Sequence, residues 1–293
     1  MRIAIASGKG GAGKTMLTAS LHSVWPLRHI LVDCDVEAPN LQFFAKPLLE
    51  KTIPVSLPVP VRVTETCSHC GKCRAICRYG AIAQFADKIT LFPEMCHGCG
   101  GCFAVCQDKA LQAGQRKLGQ IELGSCGQSL YLTGATRIGE VMTPPLLRRL
   151  FAELDQLPLQ EKLDVLLDSP PGVSCPAVTV ARRVDAMVLV ADPTPFGYAD
   201  FCLAYEAFRS LGLPLACVVN RTAMPGNTGG DARLLSFCKE HGLPLAGEVP
   251  FAREAALALA KGQPLPELSP AWRSSFQTIA HNLQRLFGEN PHG

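Results

Sequence analysis

Short apolar runs recur along the chain, and several of them end at an acidic or amide residue. We interpret each run as a buried strand, because continuous apolar runs are typical of strands covered on both faces. The runs are Ile3–Ala6, His29–Asp33, Leu163–Asp168, Asp185–Val190 and Leu215–Val219. The segments with helical patterns are Met16–His22, Thr143–Leu154 and Arg253–Lys261, the last closed by Gly262.

The C-terminal segment 271–287 has apolar residues at helical spacing. Those on one face are Trp272, Phe276, Ile279, Leu283 and Leu286. We favour a closing helix packed against a sheet. An amphipathic helix on a membrane is the alternative, which Arg273 and Arg285 would permit.

The composition changes between Ile53 and Val63, where Pro54, Pro58 and Pro60 interrupt a series of valines. Proline cannot donate a hydrogen bond to a strand ladder, so this segment suits a linker or a sheet edge. We expect a small module to begin after it.

Composition and charge limit the functional classes. Of the 293 residues, 47% are apolar, and the net charge is only +3 with the basic residues scattered, which argues against nucleic acid as a partner. There is no apolar run of about 18 residues, so no transmembrane helix is expected. The N-terminus runs straight into a strand and leaves no signal peptide, so we expect a cytoplasmic protein. Its 14 cysteines then indicate metal binding or redox chemistry rather than disulfides.

The segment from Gly8 to Thr15 fits the phosphate-loop pattern Gly-x-x-x-x-Gly-Lys-Ser/Thr at every fixed position. Its glycines allow a tight turn that directs several N–H groups to one point, and the following helix adds a positive dipole. We expect Lys14 to reach the β- and γ-phosphates of a nucleotide and the Thr15 hydroxyl to bind Mg²⁺. The predicted nucleotide-binding residues here are Gly10, Gly11, Ala12, Gly13, Lys14, Thr15 and Met16.

The early lysine, Lys9, makes this loop resemble the deviant phosphate loop of the MinD/ParA/Mrp ATPases, which are related to the nitrogenase iron protein. The resemblance implies an ATP-dependent homodimer in which Lys9 crosses to the partner's nucleotide. Asp33 and Asp35 lie in a segment similar to switch I of that family. On this resemblance Asp35 orients the attacking water, and Asp33 supports the Mg²⁺ shell.

Other segments extend the resemblance through the second half of the chain. Asp168 matches a Walker B aspartate, which holds Mg²⁺ through water, and the following Ser-Pro-Pro-Gly turn looks like switch II. Asn220 matches the strand-end asparagine that reads adenine in the family, with Arg221 beside it. Pro250 and Phe251 match a segment that flanks the base. The expected catalytic residues are Lys9, Lys14, Asp35 and Asp168.

Eight of the cysteines form an internal repeat with an offset of 29 residues. The first unit is Cys67, Cys70, Cys73 and Cys77, and the second is Cys96, Cys99, Cys102 and Cys106. The spacing resembles the bacterial two-cluster ferredoxin, in which the fourth cysteine of each unit ligates the other cluster. Zinc is the alternative metal. Arg78 and Gln107 stand where that ferredoxin has proline after the fourth cysteine.

The ferredoxin resemblance implies two 4Fe-4S clusters. The first would be held by Cys67, Cys70, Cys73 and Cys106, and the second by Cys96, Cys99, Cys102 and Cys77. The predicted fold is a doubly wound, mostly parallel α/β sheet of the P-loop NTPase type with an inserted α+β ferredoxin-like domain. The ATPase parts are expected at residues 1–59 and 116–293, and the insert at residues 60–115.

These resemblances imply a Mg²⁺-dependent ATPase with three candidate roles. It could couple nucleotide-driven dimerisation to electron transfer or cluster handling, carry clusters to apo-proteins, or act as a spatial organiser with redox-sensing clusters. The expected cofactors are ATP with Mg²⁺ and two 4Fe-4S clusters. The expected partners are a second copy of the chain and a protein that exchanges electrons or clusters. Neither nucleic acid nor a membrane is expected as a partner.

Overall fold

The apolar runs form the strands of one large sheet in the computed structural model, which describes residues 1–158 and 163–288. The strands are β1 (Arg2–Ala6), β2 (His29–Asp33), β3 (Leu48–Val63), β4 (Ile82–Phe85), β5 (Lys88–Leu91), β6 (Leu111–Cys126), β7 (Ser129–Thr136), β8 (Asp164–Asp168), β9 (Ala186–Ala191), β10 (Leu215–Thr222) and β11 (Leu245–Pro250). The predicted strand positions are therefore confirmed to within about three residues at each end.

The helices follow the strands in the expected alternation. They are α1 (Lys14–Val24), α2 (Gln42–Ala45), α3 (Lys72–Ile76), α4 (Gly101–Val105), α5 (Thr143–Asp155), α6 (Cys175–Ala181), α7 (Pro195–Arg209), α8 (Gly230–Glu240), α9 (Arg253–Leu259) and α10 (Pro270–Gly288). Short 3₁₀ turns lie at Pro93–Met95 and Leu265–Glu267.

Among the described residues, nine strands form the large sheet in the order β11-β10-β9-β1-β8-β2-β7-β6-β3. The pairings of β2 with β7 and β8, of β1 with β8 and β9, and of β10 with β9 and β11 are parallel. A two-residue turn at Gly127 and Gln128 joins β6 to β7, which requires antiparallel neighbours. The prediction of a mostly parallel α/β sheet is confirmed.

The sheet extends further than the sequence indicated. The proline-containing segment is part of β3, a 16-residue strand at the sheet edge, and β6 beside it also has 16 residues. The edge interpretation is therefore right, and the linker interpretation is wrong. An edge strand tolerates prolines, because one of its sides has no ladder partner that needs the missing N–H.

The closing helix α10 packs into the main hydrophobic core. Trp272, Phe276, Ile279 and Leu283 are all buried there, with α1 side chains such as Leu17 in the same cluster. The apolar face that suggested a membrane alternative is thus covered by the protein itself. Within residues 1–158 and 163–288, no helix combines the length and hydropathy that crossing a membrane requires.

The chain forms two compact units. The larger contains Met1–Thr52, Ile121–Ala135 and the described residues from Leu147 onward. The smaller, called the cysteine unit below, contains Ile53–Gln120 and Thr136–Leu146. The boundaries fall inside β3 and β6, so the smaller unit is wider than the predicted insert and takes in a later segment.

The cysteine unit has its own small core. Cys73, Ile82 and Cys102 are its buried members, with Phe103 and Leu111 among the partly buried residues packed on them. β4 and β5 form a two-stranded antiparallel sheet.

Candidate functional site

The phosphate loop joins β1 to α1. Gly11 and Gly13 have φ values of +81° and +104°, a region that favours glycine. A Cβ on Gly13 would lie 2.2 Å from the Asn220 side-chain nitrogen, so a side chain there would also displace that asparagine. Lys14 is the first residue of α1 and only 6% exposed. The local sequence thus builds a narrow loop at a helix N-terminus with one buried cation.

Asp168 lies at the end of β8, beside the start of α1. Its carboxylate accepts a hydrogen bond of 2.6 Å from the Thr15 hydroxyl and one of 3.4 Å from the Thr18 hydroxyl. Burial raises the pKa of Asp168, while the Thr15 bond and the charge of Lys14 act in the opposite direction. A buried carboxylate beside a hydroxyl is a donor set that suits Mg²⁺. Sequence reasoning did not find Thr18, which lies one helical turn after Lys14.

Asp33 and Asp35 lie at the carboxyl end of β2, which pairs with β8 so that Asp33 stands opposite Asp168. The Asp33 carboxylate accepts bonds from the backbone N–H groups of Asp35, at 3.0 Å, and Leu41, at 2.9 Å. Burial raises the pKa of Asp33, and nearby Asp168 raises it further. Burial also raises the pKa of Asp35, against the charge of Lys14. Three carboxylates therefore converge beside one lysine.

Asn220 and Arg221 lie near the end of β10 and donate hydrogen bonds to the phosphate loop. The Asn220 amide donates to the Ala12 carbonyl oxygen at 2.8 Å, and the Arg221 guanidinium donates to the Gly11 carbonyl oxygen at 2.9 Å. Arg221 also pairs with Asp192 at 2.8 Å. Sequence reasoning assigned no role to Asp192, although an acid directly after a buried strand is a usable signal.

Lys9 contacts a residue that the sequence did not indicate. Its ammonium lies 3.5 Å from the Asp200 carboxylate on α7. A Cβ on Gly8 would lie 1.9 Å from the Asp200 carbonyl oxygen, so α7 packs directly on the loop. No sequence pattern marks Asp200, because its position is set by the packing of α7.

The turn after Asp168 is tied to β1 and the loop behind it. Ser169 donates to the Ile5 carbonyl oxygen at 3.0 Å, and Gly172 donates to the Ser7 carbonyl oxygen at 3.0 Å. Gly172 has a φ of +77°. After β11, at the edge of the sheet, the Phe251 N–H donates to the Thr222 carbonyl oxygen at 2.8 Å, and Phe251 is 42% exposed. Pro250 ends β11 just before it. Backbone hydrogen bonds thus hold the turn after Asp168 against β1 and the loop, and hold Phe251 against the end of β10.

The two cysteine repeats adopt the same local structure. Gly71 and Gly100 precede α3 and α4 with φ values of 73° and 75°. Both five-residue helices end just before the fourth cysteine of their unit, where Cys77 and Cys106 donate back to the carbonyl three residues earlier. The offset of 29 residues therefore describes a structural repeat as well as a sequence repeat.

One apolar pocket in the cysteine unit is lined by Cys77, Cys96, Cys99 and Cys102. These are the four residues that the ferredoxin resemblance implied for the second cluster. Aliphatic and aromatic neighbours, including Ile76, Ile82 and Phe103, complete its lining. The Gly98 N–H points to the Cys96 sulfur at 3.4 Å. In the first set, the Ala110 N–H points to the Cys106 sulfur at 3.2 Å.

In the part of the chain that the structure describes, no group of three or more His, Cys, Asp or Glu side chains is gathered closely enough to hold one metal ion. The carboxylates near Lys14 and the cysteines of each repeat are close neighbours without meeting that condition. Around a four-iron cluster, the thiolates bind separate iron atoms, so their sulfurs stand farther apart than around a single ion.

A buried ion pair supports the loop that carries Cys96. The Arg116 guanidinium pairs with the Glu140 carboxylate, and both side chains are almost fully buried. Arg116 also donates to the Cys96 carbonyl oxygen at 3.0 Å. Arg137 pairs with Glu94 at the surface of the same network. Nothing in the sequence pattern indicated this network.

Two cysteines outside the repeats have contrasting environments. Cys126, at the end of β6, is buried in the main hydrophobic core, where burial raises its pKa to about 11. Cys175, at the start of α6, is exposed. Burial of Cys126 agrees with a packing role for that residue.

The fold and this loop define the class: a P-loop nucleotide-binding protein with a doubly wound sheet. The profile of the family described as the CobQ/CobB/MinD/ParA nucleotide binding domain matches residues 3–265. The chain belongs to this family and is an ATPase of the MinD/ParA type.

Individual relatives and solved structures resemble this chain to different extents. An uncharacterised protein of Methanocaldococcus jannaschii is 30% identical over 226 residues, which is 76% of this chain and 79% of that protein. An iron-sulfur cluster carrier protein of Aquifex aeolicus is 27% identical over 111 residues, 34% of this chain and 30% of that protein. The structure of MinD from Pyrococcus horikoshii with Mg-ADP has a TM-score of 0.59 at 18% identity, covering 98% of this chain and 97% of that one. This last likeness concerns the fold.

Proposed function

We propose that this ATPase couples nucleotide-driven dimerisation to electron transfer or cluster handling through two 4Fe-4S clusters in its cysteine unit. The observation that carries the proposal is the apolar pocket lined by Cys96, Cys99, Cys102 and Cys77. Three of these residues come from the second repeat and one from the first. That crossed combination is the one expected for a two-cluster ferredoxin and is not a feature of a simple hydrophobic core.

In the nucleotide site, Lys14 and the loop N–H groups would bind the phosphates, and Asn220, Arg221, Pro250 and Phe251 would surround the base. Bound ATP would supply the phosphoryl group, and its Mg²⁺ would balance the negative charge of the phosphates. Thr15 and Asp168 would hold the cation, supported by Asp33. The buried carboxylates favour this assignment, because a cation there offsets the repulsion and burial that raise the pKa values of Asp33 and Asp168.

Hydrolysis would depend on Asp35 and on the partner subunit. Asp35 is only partly buried and would orient the attacking water. Lys9 would leave Asp200 to enter the opposite site of a face-to-face dimer. The Lys9–Asp200 pair, 3.5 Å apart, is about one third exposed, so little free energy opposes its separation.

The cysteine sets would hold the clusters, which supply one-electron transfer when bound. Cys67, Cys70, Cys73 and Cys106 form the first set, and Cys96, Cys99, Cys102 and Cys77 the second. β3 leads from the ATPase unit into the cysteine unit, and β6 leads back.

A cluster carrier for apo-proteins is the second candidate, favoured by the similarity to the iron-sulfur cluster carrier protein. Carriers of the Mrp type use a Cys-x-x-Cys pair in the C-terminal half, which this sequence lacks. Cys217 and Cys238 are buried neighbours that share a hydrogen bond, so they present no thiol to a client protein.

Iron content tests the metal part of the proposal. Anaerobically purified protein should hold about eight irons per chain, the sum of two four-iron clusters, and show a paramagnetic signal after reduction. Stoichiometric zinc in place of iron would refute the cluster assignment and leave the ATPase assignment standing.

Light scattering tests the dimer. ATP with Mg²⁺ should convert monomer to dimer, and Lys9→Ala should lose both the dimer and hydrolysis while still binding nucleotide. Lys239→Ala is the matched control, because it removes another exposed lysine of the same unit, in the last turn of α8. A wild-type protein that stays monomeric under all nucleotide conditions would contradict the proposal.

A further inference from the structure

The two cysteine sites differ at equivalent positions of the repeat. Subtracting 29 from His97 gives Ser68, and adding 29 to Tyr79 gives Asp108. In the second site, the His97 and Tyr79 rings stack with centroids 3.6 Å apart and planes 8° from parallel. In the first site, the Ser68 hydroxyl and N–H both donate to the Asp108 carboxylate, at 2.5 and 3.1 Å. Each pair joins two segments of one site: the loop after the first cysteine of a repeat, and the chain after the fourth cysteine of the other repeat. Each such pair is called a clasp below.

A third equivalent position differs in the same way. Phe103 lines the apolar pocket of the second site and packs on the small core. Its counterpart in the first repeat is Arg74, which is exposed. The second site thus has two aromatic rings and an imidazole where the first has a carboxylate, a cation and a hydroxyl. The cysteines themselves have matching burial in both sites.

These differences change the free-energy cost of reducing a cluster bound at each site. A four-cysteine 4Fe-4S site passes from two negative charges to three on reduction, and the cost of placing charge in a poorly solvated environment rises with the square of the charge. Fixed charges do not offset this at the second site, because Arg116 and Arg137 are matched there by Glu140 and Glu94. At the first site, Lys72 and Arg74 oppose Asp108, and all three side chains are exposed to solvent, which screens them.

We propose that the Tyr79–His97 clasp, with Phe103, shields the second cysteine site from water and makes it the lower-potential site of the two. The clasp also holds Cys96 against Cys77, so Tyr79 and His97 are positioning residues for the crossed ligand set. Each site accepts one electron from a reductant, with no bond made or broken and no proton transferred. Electrons that enter at the second site would pass downhill to the first. This inference rests on the proposed function.

An anaerobic dithionite titration followed by electron paramagnetic resonance tests it on the full-length protein. The wild type should reduce in two steps. His97→Ser with Tyr79→Asp installs the first site's clasp in the second site and should raise the lower midpoint towards the higher. Ser68→His with Asp108→Tyr is the reciprocal variant and should lower the higher midpoint instead.

The outcomes separate this inference from the proposed function. A wild type with about eight irons and a single midpoint would overturn the inference but leave the clusters established. The inference is also overturned if the His97→Ser/Tyr79→Asp variant keeps its iron and shifts only the higher midpoint, or shifts neither midpoint. If that variant loses half of its iron, His97→Ser alone and the reciprocal variant decide by the same criteria. A wild type that contains no iron refutes the proposed function, and the inference with it.

Discussion

The phosphate loop and the cysteine repeats are both compact motifs, but different amounts of structure hold them. The loop follows the fully buried residues Ile3–Ala6 of β1, and residues from β8, β10 and α7 bond or pack against it. The cysteines lie on five-residue helices around a core with Cys73, Ile82 and Cys102 as its buried members. Two of those three residues are proposed ligands. The comparison indicates that packing preforms the loop, and it predicts that the stability of the cysteine unit depends on the clusters proposed for its cysteines.

Removing Lys14 should produce the largest effect and confine it to the loop. Lys14→Ala should weaken nucleotide binding at least about 100-fold, because the lysine makes charged hydrogen bonds worth up to about 3 kcal/mol each. Calorimetric titration with ATP measures this, and iron content should stay unchanged. A variant that lost iron together with nucleotide would show that the two regions do not fold independently.

Removing one ligand cysteine should act on the cysteine unit alone. Cys102→Ser should lower the iron content from about eight to about four per chain, because one cluster loses a buried ligand. Nucleotide binding should be unaffected. Cys126→Ala is the matched control, since it removes another buried cysteine outside the repeats. If Cys126→Ala also removed iron, the assignment of all the iron to the eight repeat cysteines would be wrong.

The buried Arg116–Glu140 ion pair should stabilise the cysteine unit whether or not iron is bound. Glu140→Ala leaves the buried Arg116 charge with only its longer contact to Glu94, at 3.9 Å, which should cost about 3–5 kcal/mol of stability. Asp155→Ala is the control, because it breaks pairs with Arg2 and Arg183 whose side chains are 28–44% exposed, and it should cost about 1 kcal/mol or less per pair. Thermal unfolding measures both. Equal effects of the two substitutions would argue against a buried network.

The smallest effect is a pH dependence in the ATPase unit. The His22 and His29 rings share a hydrogen bond of 2.8 Å, and burial lowers the pKa of His22 from 6.5 to about 4. The unfolded chain therefore takes up this proton first, so His22 should contribute a loss of about 1–3 kcal/mol of stability as the pH drops from 6.5 to 4. The raised pKa values of Asp33 and Asp168 act in the opposite direction, so the contribution is read from the difference between the wild type and a His22 variant. Denaturant unfolding across that range measures it. His22→Gln should flatten this dependence; an unchanged slope would exclude His22 as its source.

Local patterns were enough to predict much of the fold. The β1–loop–α1 unit, the strand ending at Asp168 and the C-terminal helix each depend on neighbouring residues, so their positions are readable from hydrophobic spacing and turn chemistry. The same holds for the repeat geometry around α3 and α4, because glycines at equivalent positions impose the same turns.

Extension of the sheet was harder to predict. The prolines in β3 suggested a linker, but an edge strand can accept them, and pairing with β6 is a long-range contact. Local composition cannot distinguish a proline-rich linker from a proline-tolerant edge. The same limitation explains why the cysteine unit is wider than the predicted insert.

The sequence by itself determined the two chemistries: a loop that binds phosphate and eight thiols at ferredoxin spacing. Tertiary structure alone decided which side chains support them. Asp200 reaches Lys9, Arg221 reaches Gly11, and Arg116 reaches Glu140 only after distant elements pack together. The physical reason is that spacing along the chain specifies backbone turns and ligand order, whereas charge pairing and burial depend on residues that folding brings together.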